Sequence, residues 1–380
     1  MQYDAITIDT NIFRQNGWNL ESGLLGQLTQ FKEGSAQFVL SEIVIREIHK
    51  YLKIEAKEAQ DALEASVKKV DRNKLLPIEI LSQIQTISGD LATPEEAAKQ
   101  RLKAFSDCTG MTIIPAELAD IKDLVRRYFK PGAPFEGSGK KKNEFPDAIA
   151  LLSLEAWAKS EGKKILAISD DGGWADFCKD SEWIDIEKDL AASLQKLQLH
   201  TEQARSLVTL LLGDMDAGRR PDLLEQIAEA IAEAVGEMDV YAEASSAFHY
   251  DADSVAMSIQ DFQFLDPEDG YRFDIVQIGK DRLTTKIGIS IVAKAECDFS
   301  FAVWDSIDKD YVPMGNGSAE TEVEFEAAIL VSIEGDFSKS PPEVGMSSLE
   351  LINGIDSVDF DEVEPNFGDD HYDEPCEEEA

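Results

Sequence analysis

Cysteine is scarce, with four in 380 residues at Cys108, Cys178, Cys297 and Cys376 and no CxxC pair. That spacing supplies neither a zinc cluster nor a disulfide framework, so free thiols are expected. Histidine is equally rare, and His49, on a charged helix face without a positioned partner, makes no catalytic set. No apolar run reaches membrane-spanning length, and Met1 to Asp4 contain neither a basic n-region nor an apolar h-region, so a cytoplasmic location is expected. Basic charge is short above all in the second part. Residues 241–380 carry 7 basic against 34 acidic side chains, residues 1–240 carry 29 against 41, and the whole chain stands at −39. Such a field repels nucleic acid and anionic membrane, so a phosphate-bearing substrate would have to meet a local basic patch.

What the chain does hold is a set of carboxylates at the ends of apolar runs. Length suggests two or three domains. A short strand from about Tyr3 to Ile8 ends in Asp9, Thr10 and Asn11. A strand followed by polar turn residues suggests a doubly wound α/β sheet, whose sites form beyond the carboxyl ends of its strands, although Asp9 or Asn11 would equally serve as a helix cap. A second strand, Gln37 to Leu40, feeds a helix capped by Ser41 with an Ile45, Ile48, Leu52 stripe; Glu47 lies on its flank, able to reach toward the sheet edge. Thr93, Pro94 and Glu96 form a capping-box start, Met111 to Pro115 a short strand or extended link, and Ala119 to Lys130 a helix carrying Arg126 and Arg127.

The stretch from Asn143 to Asp171 concentrates the signal. Pro146 suits a first helical position, and Asp147 heads a face made by Ala150, Leu151, Leu154 and Ala158. The next run, Ile165 to Ile168, reads as a strand buried on both faces and stops at Ser169, Asp170, Asp171. Before it lies a glycine-bearing loop with Lys140, Lys141 and Lys142, either a solvated linker or a contact for a backbone phosphate. No strand leads into that loop and nothing matches GxxxxGK[ST], which excludes a P-loop. The absence of a DxD spacing after Asp9 argues against an aspartyl phosphatase.

After a last strand at Trp183 to Ile186, helix is expected to about Leu212, then a break marked by Gly213, Gly218 and Pro221, and a second helix with Leu224, Ile227, Ile231 and Val235 on one face. From Tyr241 the pattern alternates with period two, Gly315 to Ser318 reading as a turn. The expected organisation is an α/β domain at 1–190, a helical connector at 191–240, an acidic β-sandwich-like domain at 241–355 and an acidic disordered tail at 356–380, rich in charge and poor in apolar residues.

Taken together and in order, these motifs resemble the PIN domain family of metal-dependent ribonucleases, over about residues 3 to 190. The resemblance rests on Asp9, Thr10, Asn11; on Ser41 to Glu47 and Ile48; on Asp147 in PDAIA; and on Ser169, Asp170, Asp171, with Asp176 and Phe177 as the following D-F pair. Serine stands where the family has threonine, and the doubled aspartate leaves two candidates for the last ligand, spacing favouring Asp171. The resemblance implies a PIN-like doubly wound parallel sheet with helices on both faces and a nuclease acting on RNA, used in bacterial toxins, phage defence or RNA processing. Carboxylates converging in one cleft repel one another unless a divalent cation neutralises them, and oxygen-only ligands suit Mg²⁺ or Mn²⁺. Asp9, Asp147 and Asp171 would then be principal ligands with Asp170 as the alternative, and Glu47 would bind metal or orient water. Asn11 or Ser169 would steady the shell, and Lys140, Lys141, Lys142, Arg126 or Arg127 would hold the strand, single-stranded RNA being favoured. The acidic C-terminal part would regulate access or bind a protein partner. A catalytically silent PIN-like platform and a structure-specific DNA nuclease are the alternatives.

Overall fold

The structure, a computed structural model, describes residues 3–366 apart from 35, 90, 131, 136–143, 199–200, 266–269, 308, 338 and 340–341. Lys140, Lys141 and Lys142 therefore lie outside the described residues. The chain divides into two compact units, Met1–Thr201 with Asp274–Gly279, and Glu202–Phe273 with Lys280–Ala380.

In the first unit the order is β1 (Ala5–Ile8), α1 (Thr10–Gln15), α2 (Gly23–Gly26), β2 (Gln37–Ser41), α3 (Glu42–Arg72), α4 (Ile78–Gly89), α5 (Pro94–Thr109), β3 (Thr112–Ile114), α6 (Ile121–Phe129), α7 (Phe145–Glu161), β4 (Ile165–Ile168), α8 (Gly172–Lys179), β5 (Ile184–Glu187) and α9 (Leu190–Leu197). The five strands form one sheet in the order β3-β2-β1-β4-β5. Every neighbouring pair is parallel, with Ala5 to Ile8 opposite Ile165 to Ile168. All four residues of β1 and all four of β4 are buried. Because successive side chains point to opposite faces, that pattern requires cover on both faces, which explains why these strands read as continuous apolar runs. Burying side chains such as Ile6, Ile8 and Ile168 contributes about 1.5–3 kcal/mol each.

The helices start where the side chains can satisfy their first N–H groups. Ser41 accepts from Ile43 N ahead of α3, and Thr93 with Glu96 completes a capping box at α5. The buried stripe of α3 is Val44, Ile48, Leu52 in place of one containing Ile45. α7 buries seven residues distributed around its circumference, Ala148 through Ala158, so it is enclosed by the core. It ends at Gly162, whose φ of 65° a side-chain-bearing residue adopts at a cost.

The second unit contains α10 (Thr201–Asp216), α11 (Pro221–Gly236), β6 (Tyr241–Ser245), β7 (His249–Ala252), β8 (Ala256–Phe264), β9 (Phe273–Ile278, of which Asp274 onward groups with the first unit), β10 (Arg282–Asp305), β11 (Asp310–Asp336), β12 (Glu343–Ile352) and β13 (Ser357–Glu362). β10 and β11 pair antiparallel along their whole length, from Arg282 opposite Glu334 to Asp305 opposite Asp310. Alternate residues of β10, from Ile287 through Phe301, are buried. The sheet runs β12-β11-β10-β7, with β8 also on β10. Helix α11 packs on β8 and β12 through its own unit, and β13 and β6 form a parallel two-stranded ribbon. Among the described residues the second unit is thus β-rich, one large sheet with two helices and a ribbon, where a sandwich would have two full sheets.

Four local expectations change. The helix expected to reach Leu212 is two helices, α9 and α10, and Gly213 lies inside α10; of the residues expected to mark the break, Gly218, with a φ of 68°, and Pro221 do so. Leu223, not Leu224, is the buried member of the α11 stripe. Gly315 to Ser318 sit within β11, opposite Phe301 to Asp298. A Cβ on Gly317 would stand 2.6 Å from the Glu364 carbonyl, so this glycine serves close backbone approach and not a turn. Ser357–Glu362, expected as tail, is strand β13 because Val358 and Phe360 find cover.

Candidate active site

In the order β3-β2-β1-β4-β5 the strand sequence reverses direction between β1 and β4. At such a point the loops leaving the two strands diverge and open a crevice beyond their carboxyl ends. Asp9 follows β1 and Asp170 and Asp171 follow β4, so the topology delivers all three there. α3, which follows β2, brings Glu47 from one side, and the first turn of α7 brings Asp147. A hollow of about 470 Å³ is lined by Asp9, Glu47, Asp147, Asp170 and Asp171 together with Thr10, Asn11, Arg14, Gln15, Trp18, Lys50 and Tyr51.

Each carboxylate is held by the fold. Asp9, 6% exposed, accepts from Thr10 N at 2.6 Å through Oδ1 and from the Ser169 hydroxyl at 2.6 Å through Oδ2. Ser169 Oγ in turn accepts from Asp171 N at 3.0 Å and from Asn11 Nδ2 at 3.4 Å, tying the ends of β1 and β4 together. The Thr10 hydroxyl donates to Glu47 Oε2 at 2.5 Å. Asp171 Oδ1 caps α8, accepting from Gly173 N at 2.6 Å and Trp174 N at 3.1 Å. The indole Nε1 of Trp174, wholly buried, donates to Asp147 Oδ1 at 3.1 Å. Asn11 Oδ1 is buried with no hydrogen-bond partner among the described residues.

The charges act on one another. Burial, and then the Asp147 and Asp171 carboxylates, push Asp9 up from 3.8 to about 7, against the downward pull of its Ser169 and Thr10 hydrogen bonds. Burial and the Asp147 charge likewise raise Glu47, although the Thr10 hydroxyl pulls it down. Repulsion among neighbouring carboxylates is therefore an electrostatic feature of the cleft, eased at Glu47 by Lys50. Even so, among the described residues no group of three or more His, Cys, Asp or Glu side chains is disposed to hold a metal ion.

The profile of the PIN domain family matches residues 6–174, a span that opens in β1, closes at Trp174 and contains all five acidic positions. Residues 6–174 are a PIN domain. No curated protein and no solved structure matches the chain. Glu202–Phe273 with Lys280–Ala380 form a separate β-rich unit, and among the described residues no helix is long and apolar enough to cross a membrane.

Within the PIN domain the sequence-derived candidates fall into two groups. Asp9, Asn11, Glu47, Asp147, Asp170 and Asp171 line one cleft, with Ser169 beneath it. Asp170 is exposed and pairs with Lys188 at 2.9 Å, whereas the Asp171 charge is felt by Asp9. Arg126 and Arg127 lie elsewhere. Both pair with Asp123; Arg126 borders a different hollow, and Arg127 covers the Phe177 ring at 4.8 Å and donates to the Ala133 carbonyl at 2.8 Å. Asp176 pairs with Lys179 on α8, and His49 lies 3.5 Å from Glu95.

Several residues of the site carry no sequence signal as single positions. Trp174 and Thr10 orient Asp147 and Glu47. Glu144 and Asp171 approach each other across Gly173, where a Cβ would stand 2.9 Å from Asp171 Oδ1 and 3.3 Å from Glu144 Oε2. Only the family tripeptide and the GGW that follows the doubled aspartate hinted at them. Arg14, Trp18, Lys50 and Tyr51 had no hint at all.

Proposed function

We propose that the PIN domain hydrolyses phosphodiester bonds of single-stranded RNA, using Mg²⁺ or Mn²⁺ held by Asp9, Asp147 and Asp171 with Glu47 at the edge of the set. The observation that carries this reading is Asp9, a carboxylate at the topological switch point raised to about 7 by burial first and then by the Asp147 and Asp171 carboxylates of the same cleft. A fold that keeps such mutual repulsion gains from a cation at that place. The donor chemistry fits a hard cation, since every group is oxygen, and the buried Asn11 Oδ1, with no hydrogen-bond partner among the described residues, adds one more. Bound divalent metal lowers the pKa of water and neutralises charge on the leaving oxygen.

The chain's own residues do the positioning. Thr10 N and Ser169 fix Asp9 from two sides, Trp174 fixes Asp147, and the first N–H groups of α8 fix Asp171. Glu47, raised by burial and the Asp147 charge, is suited to accept a proton from the attacking water, with Thr10 Oγ1 aiming it. Lys140, Lys141 and Lys142 precede the Asp147 helix by a few residues and would meet substrate phosphates.

A silent binding platform is the second reading, favoured by the lack, among the described residues, of a closed three-ligand group. Mg²⁺ commonly keeps several waters and takes only one or two carboxylates directly, which allows a wider set. Cleavage of a labelled single-stranded RNA with Mn²⁺, Mg²⁺ or EDTA, in the parent and in Asp9→Asn and Asp147→Asn, separates the two. Metal-dependent cutting lost in both variants supports the nuclease. No cutting, together with no calorimetric Mn²⁺ binding by the parent, supports the platform. Labelled single-stranded DNA and flap duplexes in the same assay test the DNA-directed alternative.

A further inference from the structure

Trp18 and Tyr51 come from the loop after α1 and from α3, 33 positions apart, yet their rings stack at 4.7 Å with an interplanar angle of 24° on the wall of the carboxylate cleft. Trp18 is 7% exposed while Tyr51 is 38% exposed. One face of the tyrosine ring is thus taken by the indole, and the ring still meets solvent. The support is rigid. Gly17 and Trp18 both adopt the left-handed region, with φ of 61° and 57°, a conformation that costs a bulky residue such as tryptophan and persists only where its surroundings impose it. Arg101 imposes it in part: its Nη2 donates to the Trp18 carbonyl at 3.0 Å, and two hydrogen bonds of 3.0 Å lock its guanidinium to Glu21. Arg14 and Lys50 line the same hollow as the stack, both exposed, and the Lys50 charge pulls the Glu47 carboxyl down. In a chain of net charge −39, two exposed cations lining the same hollow as an aromatic stack are a local source of positive charge.

We infer that Tyr51, backed by Trp18, is a stacking platform for one unpaired nucleobase next to the scissile phosphate, with Arg14 and Lys50 contacting the adjoining phosphates. The inference rests on the nuclease reading and adds to it a substrate requirement. A base presents its π-face to a protein ring only when it is unstacked, so the platform selects single-stranded RNA, or a looped nucleotide, over duplex. It tolerates any base identity, because every base has such a face. Arg14 and Lys50 would supply sequence-independent, salt-sensitive affinity.

The test uses the full chain carrying Asp9→Asn, which leaves substrate uncut, and a fluorescent single-stranded RNA of twelve uridines, read by anisotropy in Mg²⁺. A series of the same RNA with one abasic nucleotide at each position is measured alongside. Tyr51→Ala is expected to weaken binding about 5- to 150-fold, the range for loss of one base-aromatic stack, and Tyr51→Phe to bind as the parent. One abasic position should weaken binding to the parent and cost nothing further in Tyr51→Ala. Equal affinity of Tyr51→Ala and parent, or an abasic penalty unchanged by the substitution, overturns the platform while leaving the nuclease intact. Absence of RNA binding by the parent itself overturns both. Thermal melting of Tyr51→Ala and Tyr51→Phe monitors the fold, and a Phe variant that binds as weakly as Ala, with melting unchanged, also refutes stacking.

Discussion

Asp9→Asn should stabilise the metal-free chain at alkaline pH and lose that advantage in acid. In the folded chain Asp9 is raised from 3.8 to about 7, so the fold favours its protonated form. Its contribution is fully present below the unfolded value near 4 and is lost as pH rises through about 7. Three units correspond to about 4 kcal/mol lost by pH 8, at about 1.4 kcal/mol per unit. Asparagine keeps the shape and removes the charge. It retains one acceptor oxygen and must rearrange one of the two hydrogen bonds, from Thr10 N or Ser169 Oγ, at about 1 kcal/mol. The two chains should therefore be nearly equal near pH 4.5, with the variant ahead by about 3 kcal/mol at pH 8. Titrations not coupled to Asp9 cancel in the difference, and those of Asp147 and Asp171 add to it in the same direction, since each loses a repelling neighbour in the variant. Urea denaturation in EDTA at pH 4.5, 6 and 8 measures it, followed by tryptophan fluorescence, since Trp18, Trp157, Trp174 and Trp183 belong to the first unit and only Trp304 to the second. A difference that is flat with pH, or that falls as pH rises, refutes the electrostatic account of the cleft. Adding Mn²⁺ at about 100 times its dissociation constant should then raise the parent by about 2.7 kcal/mol at pH 8 and leave the variant unmoved.

Gly173→Ala would force a Cβ to 2.9 Å from Asp171 Oδ1 and 3.1 Å from Pro134 Cβ; displacement of that carboxylate should cut metal-dependent RNA cleavage at least about tenfold, checked by single-turnover kinetics, at about 1–2 kcal/mol of stability. Thr93→Ala removes the hydroxyl that caps α5 and pairs with Glu96, and should lower the urea-derived stability of the first unit by about 1 kcal/mol without touching cleavage. Burial, then Glu155 and Asp185, push the Cys178 thiol up to about 12, and Cys178 is buried whereas Cys108 is exposed. An aromatic disulfide reagent at pH 8 should accordingly label Cys108 in the native chain and Cys178 only after unfolding, as mass spectrometry of the tryptic peptides would report.

Local chemistry made much of this architecture legible. The all-apolar runs at Ala5–Ile8 and Ile165–Ile168 are buried parallel strands, Ser41 and Thr93 are caps, and Pro146 begins the helix that carries Asp147. Each is a signal a few residues long. The misread positions share a different property. Gly315 to Ser318 have turn composition, but the turn in space falls between Asp305 and Asp310, and the glycines instead admit the Glu364 backbone from 47 positions away. Ser357–Glu362 looked too acidic to fold, and its apolar Val358 and Phe360 become buried once β13 pairs with β6.

By itself the sequence determined which residue types could do chemistry: acidic groups at strand and helix ends, no thiol or imidazole cluster, and the order of motifs that marks the PIN domain. Spacing along a chain carries that information because caps, strand ends and helix first turns are local. Only the tertiary structure decided which of those groups share a cleft. Asp9, Glu47, Asp147 and Asp171 meet because the strand order reverses between β1 and β4, Arg126 and Arg127 are drawn away by Asp123, and Trp18 finds Tyr51 because the segment around α1 packs against α3. Such contacts depend on long-range pairing energies, to which no single stretch of sequence is sensitive.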